Sequence, residues 1–319
     1  MHQFSIITPT FNRAKYLTKV YNSLCQQDNV DLEWVILDDG SSDGTFDLIS
    51  KFEKKFEIKY KFQENAGKPS AMNSAMQLLN SKITLVSLDS EDALIPNALS
   101  AIWNYYDNET GFFRDNCACV SGLCQYENGN IIGKKFPHDY YVSDYIRYIK
   151  NNKLTGDKCE FYITDIYKKY SFPIFTNEKN IAPSIVHMRI ALNYKTLYVN
   201  QVFQEKEFLQ GGLSTKNYWI MYPLGSELYY NEASVHPFKL KLRIKHSGEY
   251  IFYAKMNRRN EIFKNAMNKS IFPLGAMYFT ILKSKYLLKK IPLLVKINST
   301  IKKIFAKNNR NNSKIITSE

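Results

Sequence analysis

The sequence predicts an α/β protein whose Rossmann-like, mostly parallel sheet is covered by helices on both faces. Two observations lead to this fold class. Short apolar runs alternate with segments of helical periodicity through the first hundred residues, an order typical of parallel strands joined by crossover helices. Acidic and small polar residues directly follow two of the apolar runs. An extension in the second half and a C-terminal helical segment complete the predicted architecture.

The individual elements are predicted from the spacing of apolar residues. Strands are expected at residues 4–8, 32–37, 58–62 and 83–88, and helices at 14–26, 45–56, 68–79 and 96–106. Pro96 favours the first turn of the last helix. In the second half, residues 119–126 and 131–136 flank the turn sequence ENGN and predict a β-hairpin. A further strand is expected at residues 161–163.

The positive charge of the chain is concentrated near its C-terminus. The 319 residues have a formal net charge of +13, yet residues 262–319 contain 12 Lys and Arg and a single acid. From Leu287 onward, apolar residues recur at helical intervals with lysines between them. This pattern predicts a basic amphipathic segment on an anionic membrane surface. A helix packed on the rest of the protein, with its lysines in solvent, is the alternative.

Several other classes are not expected. The tail lysines alternate with aliphatic rather than stacking aromatic residues, so no nucleic-acid partner is predicted. No run reaches 18 apolar residues, and the first residues do not resemble a signal peptide. The predicted location is therefore the cytoplasm, peripherally on the inner face of the cell membrane. The five cysteines lack paired metal-site spacing and are expected to be free thiols.

Two acidic clusters each follow the end of a predicted strand. Asp38 and Asp39 end the second strand, and Asp89, Glu91 and Asp92 follow the fourth. Ligands of open α/β sheets bind outside the carboxyl ends of the strands. Carboxylates held close together repel each other unless a cation compensates, and their oxygens suit Mg²⁺ or Mn²⁺. Each segment alone also fits a polar turn or a helix N-cap, but together they predict a metal and diphosphate site.

Four motifs, each at the end of a predicted strand, carry a family resemblance. They are ITPTFNR at residues 7–13, VILDDGSSDG at 35–44, NAGK at 65–68, and LDSED at 88–92 followed by Pro96. In this order they resemble the nucleotide-sugar-binding half of family 2 glycosyltransferases, which have the GT-A fold. The resemblance implies a transferase that uses Mg²⁺ or Mn²⁺ and inverts the anomeric centre of the sugar.

The resemblance also implies roles for individual residues. Those that would bind the nucleotide sugar are Thr8, Pro9, Asp38, Asp39, Asn65, Gly67, Lys68 and Asp89. Within this set, Asp39 would contact the base, and Asn65, Gly67 and Lys68 would lie near the ribose and diphosphate. The metal ligands would be Glu91, Asp89 and Asp92. Glu91 departs from the Asp that usually ends the family's D-x-D triplet.

The second half is similar to the acceptor portion of a bacterial branch of the family, and it includes the sequence GDKCE at residues 156–160. The acceptor hydroxyl needs a general base. Glu178 is the first candidate, and Asp157 is the alternative. Lys179 stands where an Asp would complete the family's acidic pair. If Glu178 instead forms a surface ion pair with Lys179 or Lys158, its role is structural and not catalytic.

The predicted organisation has three parts: a nucleotide-sugar-binding half at 1–110, an acceptor-side half at 111–215, and a basic helical extension at 216–319. The predicted function is sugar transfer from a nucleotide-diphosphate sugar to a hydroxyl of a glycan or lipid-linked acceptor in bacterial cell-surface polysaccharide biosynthesis. The alternative is a catalytically inactive nucleotide-sugar-binding or scaffold protein with the same fold, which the changes at Glu91 and Lys179 make worth testing.

Overall fold

The computed structural model describes residues 2–107, 115–207 and 218–280. Its strands are β1 (His2–Thr10), β2 (Leu32–Asp38), β3 (Glu57–Phe62), β4 (Ser81–Leu85), β5 (Ala93–Leu94), β6 (Cys117–Gln125), β7 (Tyr141–Ser143), β8 (Lys158–Ile163) and β9 (Lys195–Glu205). Its helices are α1 (Ala14–Leu24), α2 (Thr45–Ile49), α3 (Lys68–Met76), α4 (Ala98–Asp107), α5 (Thr164–Tyr167), α6 (Ser184–Ile190), α7 (Tyr218–Met221), α8 (Pro223–Val235), α9 (Leu240–Met256) and α10 (Ile262–Asn265). A π-helical turn spans Ile146–Lys150.

The strands form one sheet in the order β3-β2-β1-β4-β8-β6-β9-β5, and β7 pairs with β9. The first four strands of this order are mutually parallel. Strands from the second half pair in both directions: β8 runs antiparallel to β4 and β6, whereas β9 runs parallel to β6. The predicted α/β class is confirmed, and the carboxyl ends of β1, β2 and β4 face one rim of the sheet.

Helices cover both faces because residues along the strands alternate in direction. On β1, Phe4 and Ile6 belong to one apolar core with α1 and α4, while Ile7 belongs to the opposite core with α3, α6 and α8. Trp34 on β2 is completely buried in the first core. The five cysteines are free thiols, as predicted.

Two local predictions were wrong. The helix expected at 45–56 ends at Ile49, although Phe52 beyond it still stacks on Tyr21 with ring centroids 4.4 Å apart. The hairpin strand expected at 131–136 is reduced to one bridge between Gln125 and Ile131. Both edges of β6 are already paired with β8 and β9, so no edge remains for a hairpin partner.

The C-terminal part of the described chain is helical, as predicted. Helices α8 and α9 are followed by α10 and by a helix over residues 272–280. Gly275 of this last helix lies so close to α9 that an added Cβ would be 2.3 Å from Ser247 Oγ. Within the described residues, no helix has both the length and the apolar character needed to cross a membrane. The amphipathic segment predicted from Leu287 onward lies outside the described residues.

An ionic cluster ties together the amino ends of the first strands. His2 on β1 contacts Asp31 through Nδ1 and Glu57 through Nε2, both at 2.7 Å. Glu33 at the start of β2 is completely buried and accepts a hydrogen bond from Lys59 Nζ at 2.5 Å. The hydrogen bond to Asp31 raises the pKa of His2 more than burial lowers it. This cluster lies at the edge of the sheet opposite the carboxyl ends of β1, β2 and β4.

Candidate active site

The loops after β1 and β2 are bound to each other at the rim of the sheet. Asn12 adopts a left-handed conformation with φ of 52°. Its amide oxygen accepts the Ser42 N–H at 2.8 Å, and its own N–H donates to Ser41 Oγ at 2.8 Å. Asp43 accepts the Ala14 N–H at 2.9 Å near the start of α1. The sequence DDGSSDG therefore forms a structured loop rather than a free polar turn.

Asp38 and Asp39 both organise this rim. Asp38 is buried and accepts hydrogen bonds from the Ser41 N–H at 2.7 Å and the Tyr60 hydroxyl at 2.8 Å. Asp39, also buried, accepts three hydrogen bonds from the segment after β3. The donors are Gln63 Nε2 at 2.7 Å, the Ala66 N–H at 2.9 Å and the Gly67 N–H at 2.8 Å. Asp39 therefore holds the NAGK loop in place.

Thr8 and Pro9 lie at the end of β1, where the sequence predicts the base pocket. The Thr8 side chain is completely buried, and its Oγ1 accepts a hydrogen bond from the Trp34 indole at 2.9 Å. Pro9 points to the other side and is half-buried. Of these two residues, Pro9 has the side chain with accessible surface.

Gly67 lies where the first half of the chain closely approaches the backbone of the second half. Its φ is +92°, and an added Cβ would be 2.1 Å from the Lys179 carbonyl oxygen. Beside it, Lys179 Nζ donates to Asn65 Oδ1 at 2.7 Å. Only glycine satisfies both the backbone angle and this approach. The NAGK loop is thus bound to the segment that contains Glu178.

Lys68, the first residue of α3, reaches the second acidic cluster. Its Nζ donates to Asp89 Oδ1 at 2.6 Å, and the Ser87 hydroxyl donates to the same oxygen at 2.6 Å. The structure thus brings together the predicted diphosphate-binding lysine and the first Asp of the D-x-D position.

Lys206, just after β9, joins three carboxylates. Its Nζ lies 3.0 Å from Asp92 Oδ2, 3.6 Å from Asp157 Oδ2 and 3.9 Å from Asp89 Oδ2. Asp92 also accepts hydrogen bonds from Gln204 Nε2 at 2.7 Å and the Glu207 N–H at 3.2 Å. The sequence does not single out Lys206, because a lysine between two glutamates is typical of a solvent-exposed charged segment.

The pKa values of Asp89 and Asp92 are shifted in opposite directions. Burial by itself would raise the pKa of Asp89, but the ammonium groups of Lys68 and Lys206 outweigh it and hold that pKa well below its usual range. Burial raises the pKa of Asp92 to about 6, with Lys206 opposing and Asp89 reinforcing the change. The two carboxyl groups therefore differ in pKa, and Asp89 is the one that stays ionised over the wider pH range.

Of the three predicted metal ligands, Asp89 and Asp92 face a common position and Glu91 does not. Asp89 and Asp92 each direct an oxygen at the Lys206 ammonium, so two hard oxygen donors of the kind that Mg²⁺ or Mn²⁺ prefers face one cation position. Glu91 instead lies with Oε1 3.6 Å from Arg13 Nη1. Among the residues that the structure describes, the group of three His, Cys, Asp or Glu donors within 4.8 Å is His2, Glu33 and Glu57, in the ionic cluster at the opposite edge.

Glu178 caps helix α8. One carboxylate oxygen accepts the Leu224 N–H at 2.6 Å and the other accepts the Gly225 N–H at 2.8 Å. The two N–H groups at the start of α8 thus use both carboxylate oxygens of Glu178. Neither ion pair that the sequence suggests for Glu178 is needed to explain its position. Asp157, by contrast, is exposed beside Lys206.

Glu160 on β8 is a second titratable group that sequence reasoning did not single out. Burial and the nearby Asp157 raise its pKa to about 8, although Lys158 and Lys206 oppose the change. Because the folded-state pKa exceeds the ordinary value, this residue contributes stability below pH 4.5 that is lost as the pH rises through 8.

We therefore expect Glu160→Gln to gain stability relative to the wild type as the pH rises from 5 to 9, by on the order of 2–4 kcal/mol. Urea unfolding of both proteins at pH 5, 7 and 9 measures this difference. Glu64→Gln, at an exposed position, controls for the loss of a carboxylate. A difference that stays constant with pH would contradict the burial of an ionisable Glu160.

Known proteins that are similar to this chain include glycosyltransferases. An uncharacterized glycosyltransferase of Nostoc sp. is 33% identical over 102 residues, which are 31% of this chain and 31% of that protein. The chain thus spans about a third of that relative's length. A GalNAc(5)-diNAcBac-PP-undecaprenol beta-1,3-glucosyltransferase of Campylobacter jejuni is 25% identical over 70% of this chain and 71% of its own.

Among solved structures, residues 1–349 of Staphylococcus aureus TarS in complex with UDP-GlcNAc superpose with a TM-score of 0.60 at 19% sequence identity. The superposition covers 86% of this chain and 78% of that one, and it supports the predicted GT-A fold. The family model Glycosyl transferase family 2 matches residues 5–170, which contain all four motifs and the strands that carry them. The chain belongs to glycosyl transferase family 2.

Proposed function

We propose that the protein transfers a sugar from a nucleotide-diphosphate sugar to a hydroxyl of a glycan or lipid-linked acceptor, with inversion, in bacterial cell-surface polysaccharide biosynthesis. One observation carries the proposal. Lys68, Asp89, Asp92 and Lys206 meet at the carboxyl ends of the parallel strands, where the family resemblance puts the donor diphosphate. The Campylobacter relative, named for an undecaprenol-linked acceptor, supports the lipid-linked class.

The proposed donor site uses both acidic clusters. Asp39 orders the NAGK loop through Ala66 and Gly67, and Pro9 offers surface for the base. Lys68 supplies positive charge for the diphosphate, which becomes more negative as it leaves. Asn65 lies beside Lys68 and is held by Lys179.

The proposed cofactor is Mg²⁺ or Mn²⁺, held by Asp89 and Asp92. When bound, the cation would neutralise charge on the leaving diphosphate. Glu91 stays a predicted third ligand, and it would have to exchange Arg13 for the cation. Two aspartate oxygens facing one cation position support this donor set.

The proposed general base is Asp157. It is exposed, lies on the acceptor-side segment, and is 3.6 Å from Lys206, which links it to the donor site. Glu178 is the second candidate, and both of its carboxylate oxygens are engaged by N–H groups of α8.

A thermal-shift screen of nucleoside diphosphates and nucleotide sugars, with and without Mn²⁺, tests the donor site. We expect one nucleotide class to raise the melting temperature, and Asp89→Asn to abolish that rise. The absence of any shift across the screen would contradict both the transferase and the inactive nucleotide-sugar-binding alternative. Stabilisation without hydrolysis or transfer in the presence of acceptor extracts would favour the inactive alternative.

We further propose that the protein lies peripherally on the cytoplasmic face of the membrane through residues 281–319, which contain ten Lys and Arg and one acid. Co-sedimentation with phosphatidylglycerol vesicles tests this. Replacing the lysines at 289, 290, 296, 302, 303 and 307 by Gln should abolish pelleting, since each contributes about 1 kcal/mol at an anionic surface. The matched Lys→Arg variant should pellet normally. Equal pelleting of the Gln variant would refute membrane binding through the tail.

A further inference from the structure

Lys206 has no assigned role, yet it is the most heavily engaged cation at the proposed donor site. Its side chain is 16% exposed, and its ammonium contacts Asp89, Asp92 and Asp157. Asp92, its nearest partner, is 1% exposed. Gln204, two residues earlier, binds the same Asp92 oxygen. The end of β9 therefore holds a partly buried lysine on the two aspartates proposed to bind a metal.

An ammonium and a divalent cation cannot use these oxygens together. A metal held by Asp89 and Asp92 would lie close to a like charge in a poorly solvated place, where repulsion is weakly screened. The ammonium must therefore leave Asp92 for the metal to bind. A diphosphate supplies what the exchange needs, because its oxygens can complete the metal's coordination and also accept the displaced ammonium.

We propose that Lys206 is a positioning residue that occupies the Asp89 and Asp92 carboxylates in the donor-free protein, so that a divalent cation binds tightly only together with the nucleotide diphosphate. This inference rests on the proposed function. It makes the lysine a competitor of the metal in the free protein and a partner of the diphosphate in the complex.

The test measures Mn²⁺ affinity by electron paramagnetic resonance of the free ion in the absence of nucleotide. Lys206→Met should bind Mn²⁺ at least about tenfold more tightly than the wild type, because it removes the competing charge. Lys206→Arg should behave as the wild type. Lys19→Met is the matched control, since Lys19 bridges Glu205 and Glu207 at 3.3 and 3.5 Å beside the same strand end; it should leave Mn²⁺ affinity unchanged.

The measurement is repeated with the nucleoside diphosphate that stabilises the protein most in the thermal-shift screen. The advantage of Lys206→Met over the wild type should then shrink below about threefold, because the ammonium has left the metal's oxygens. If Lys206→Met fails to fold, Lys206→Gln, which is polar but uncharged, should show the same gain.

Two results overturn the inference while leaving the proposed function intact. One is Mn²⁺ binding to the wild type that is equally tight with and without nucleotide. The other is nucleotide-dependent Mn²⁺ binding with no gain in either uncharged variant. Absence of Mn²⁺ binding in every protein, even with nucleotide present, overturns the proposed metal site and this inference with it.

Discussion

Replacing Asp157 by Asn is expected to lower the turnover number for sugar transfer by about 10²- to 10⁴-fold, the contribution of a general base. The amide cannot accept the acceptor's proton, but it keeps the size and polarity of the carboxylate. Asp157 is exposed, so the fold should tolerate the change. Nucleotide affinity, measured by calorimetry, should change by less than about threefold if the effect lies in the chemical step.

Two further variants make this result decisive. Glu178→Gln should lose about 1–2 kcal/mol of stability, because one amide oxygen replaces two charged acceptors at the start of α8. Its folded fraction should still transfer sugar. Asp165→Asn, at an exposed position on α5, should leave transfer unchanged. An inactive but folded Glu178→Gln beside an active Asp157→Asn would instead identify Glu178 as the base.

The second large effect is expected at Gly67. Gly67→Ala should lower the free energy of unfolding by about 3–5 kcal/mol, combining a left-handed backbone with a forced overlap. The new methyl group would lie 2.1 Å from the Lys179 carbonyl oxygen, and the backbone of one half would have to move. Urea unfolding measures the loss, and nucleotide binding should fall as well because the NAGK loop shifts.

The variant Gly129→Ala measures the cost of the left-handed backbone without the steric overlap. Gly129 has a similar φ of +79° but nothing within 4 Å of an added Cβ. It should lose only about 1 kcal/mol, the cost of the backbone conformation alone. Equal losses for the two variants would mean that the approach of Gly67 to Lys179 is not tight in solution.

The sequence predicts the first half of the fold well because its strands carry local, periodic signals. Four strands and their helices lie where apolar spacing puts them, and only α2 is much shorter than predicted. The strands of the second half are harder to predict from the sequence, because they form through pairing with segments that are distant in the chain. The two-residue strand β5 exists because Ala93 and Leu94 pair with β9, and no local pattern indicates so short a strand.

The residues of the candidate site also differ in how well the sequence predicts their positions. The motifs predict the position of Asp39 directly after β2, of Lys68 at the start of α3 and of Asp89 in the loop after β4. They do not indicate that Lys206 would lie against Asp92, or that Glu178 would cap α8. Both contacts join segments far apart in the chain, and they depend on how β9 and α8 are placed by the completed fold.

The ionic cluster of His2, Glu33, Glu57 and Lys59 has a consequence for engineering. It fastens the amino ends of β1, β2 and β3, whereas the proposed chemistry lies in loops at their carboxyl ends. Substitutions that change sugar preference can therefore be made in those loops without removing the contacts of the ionic cluster at the opposite edge of the sheet. Donor selection can thus be changed independently of this cluster, provided that Gly67, whose replacement is expected to destabilise the fold, is retained.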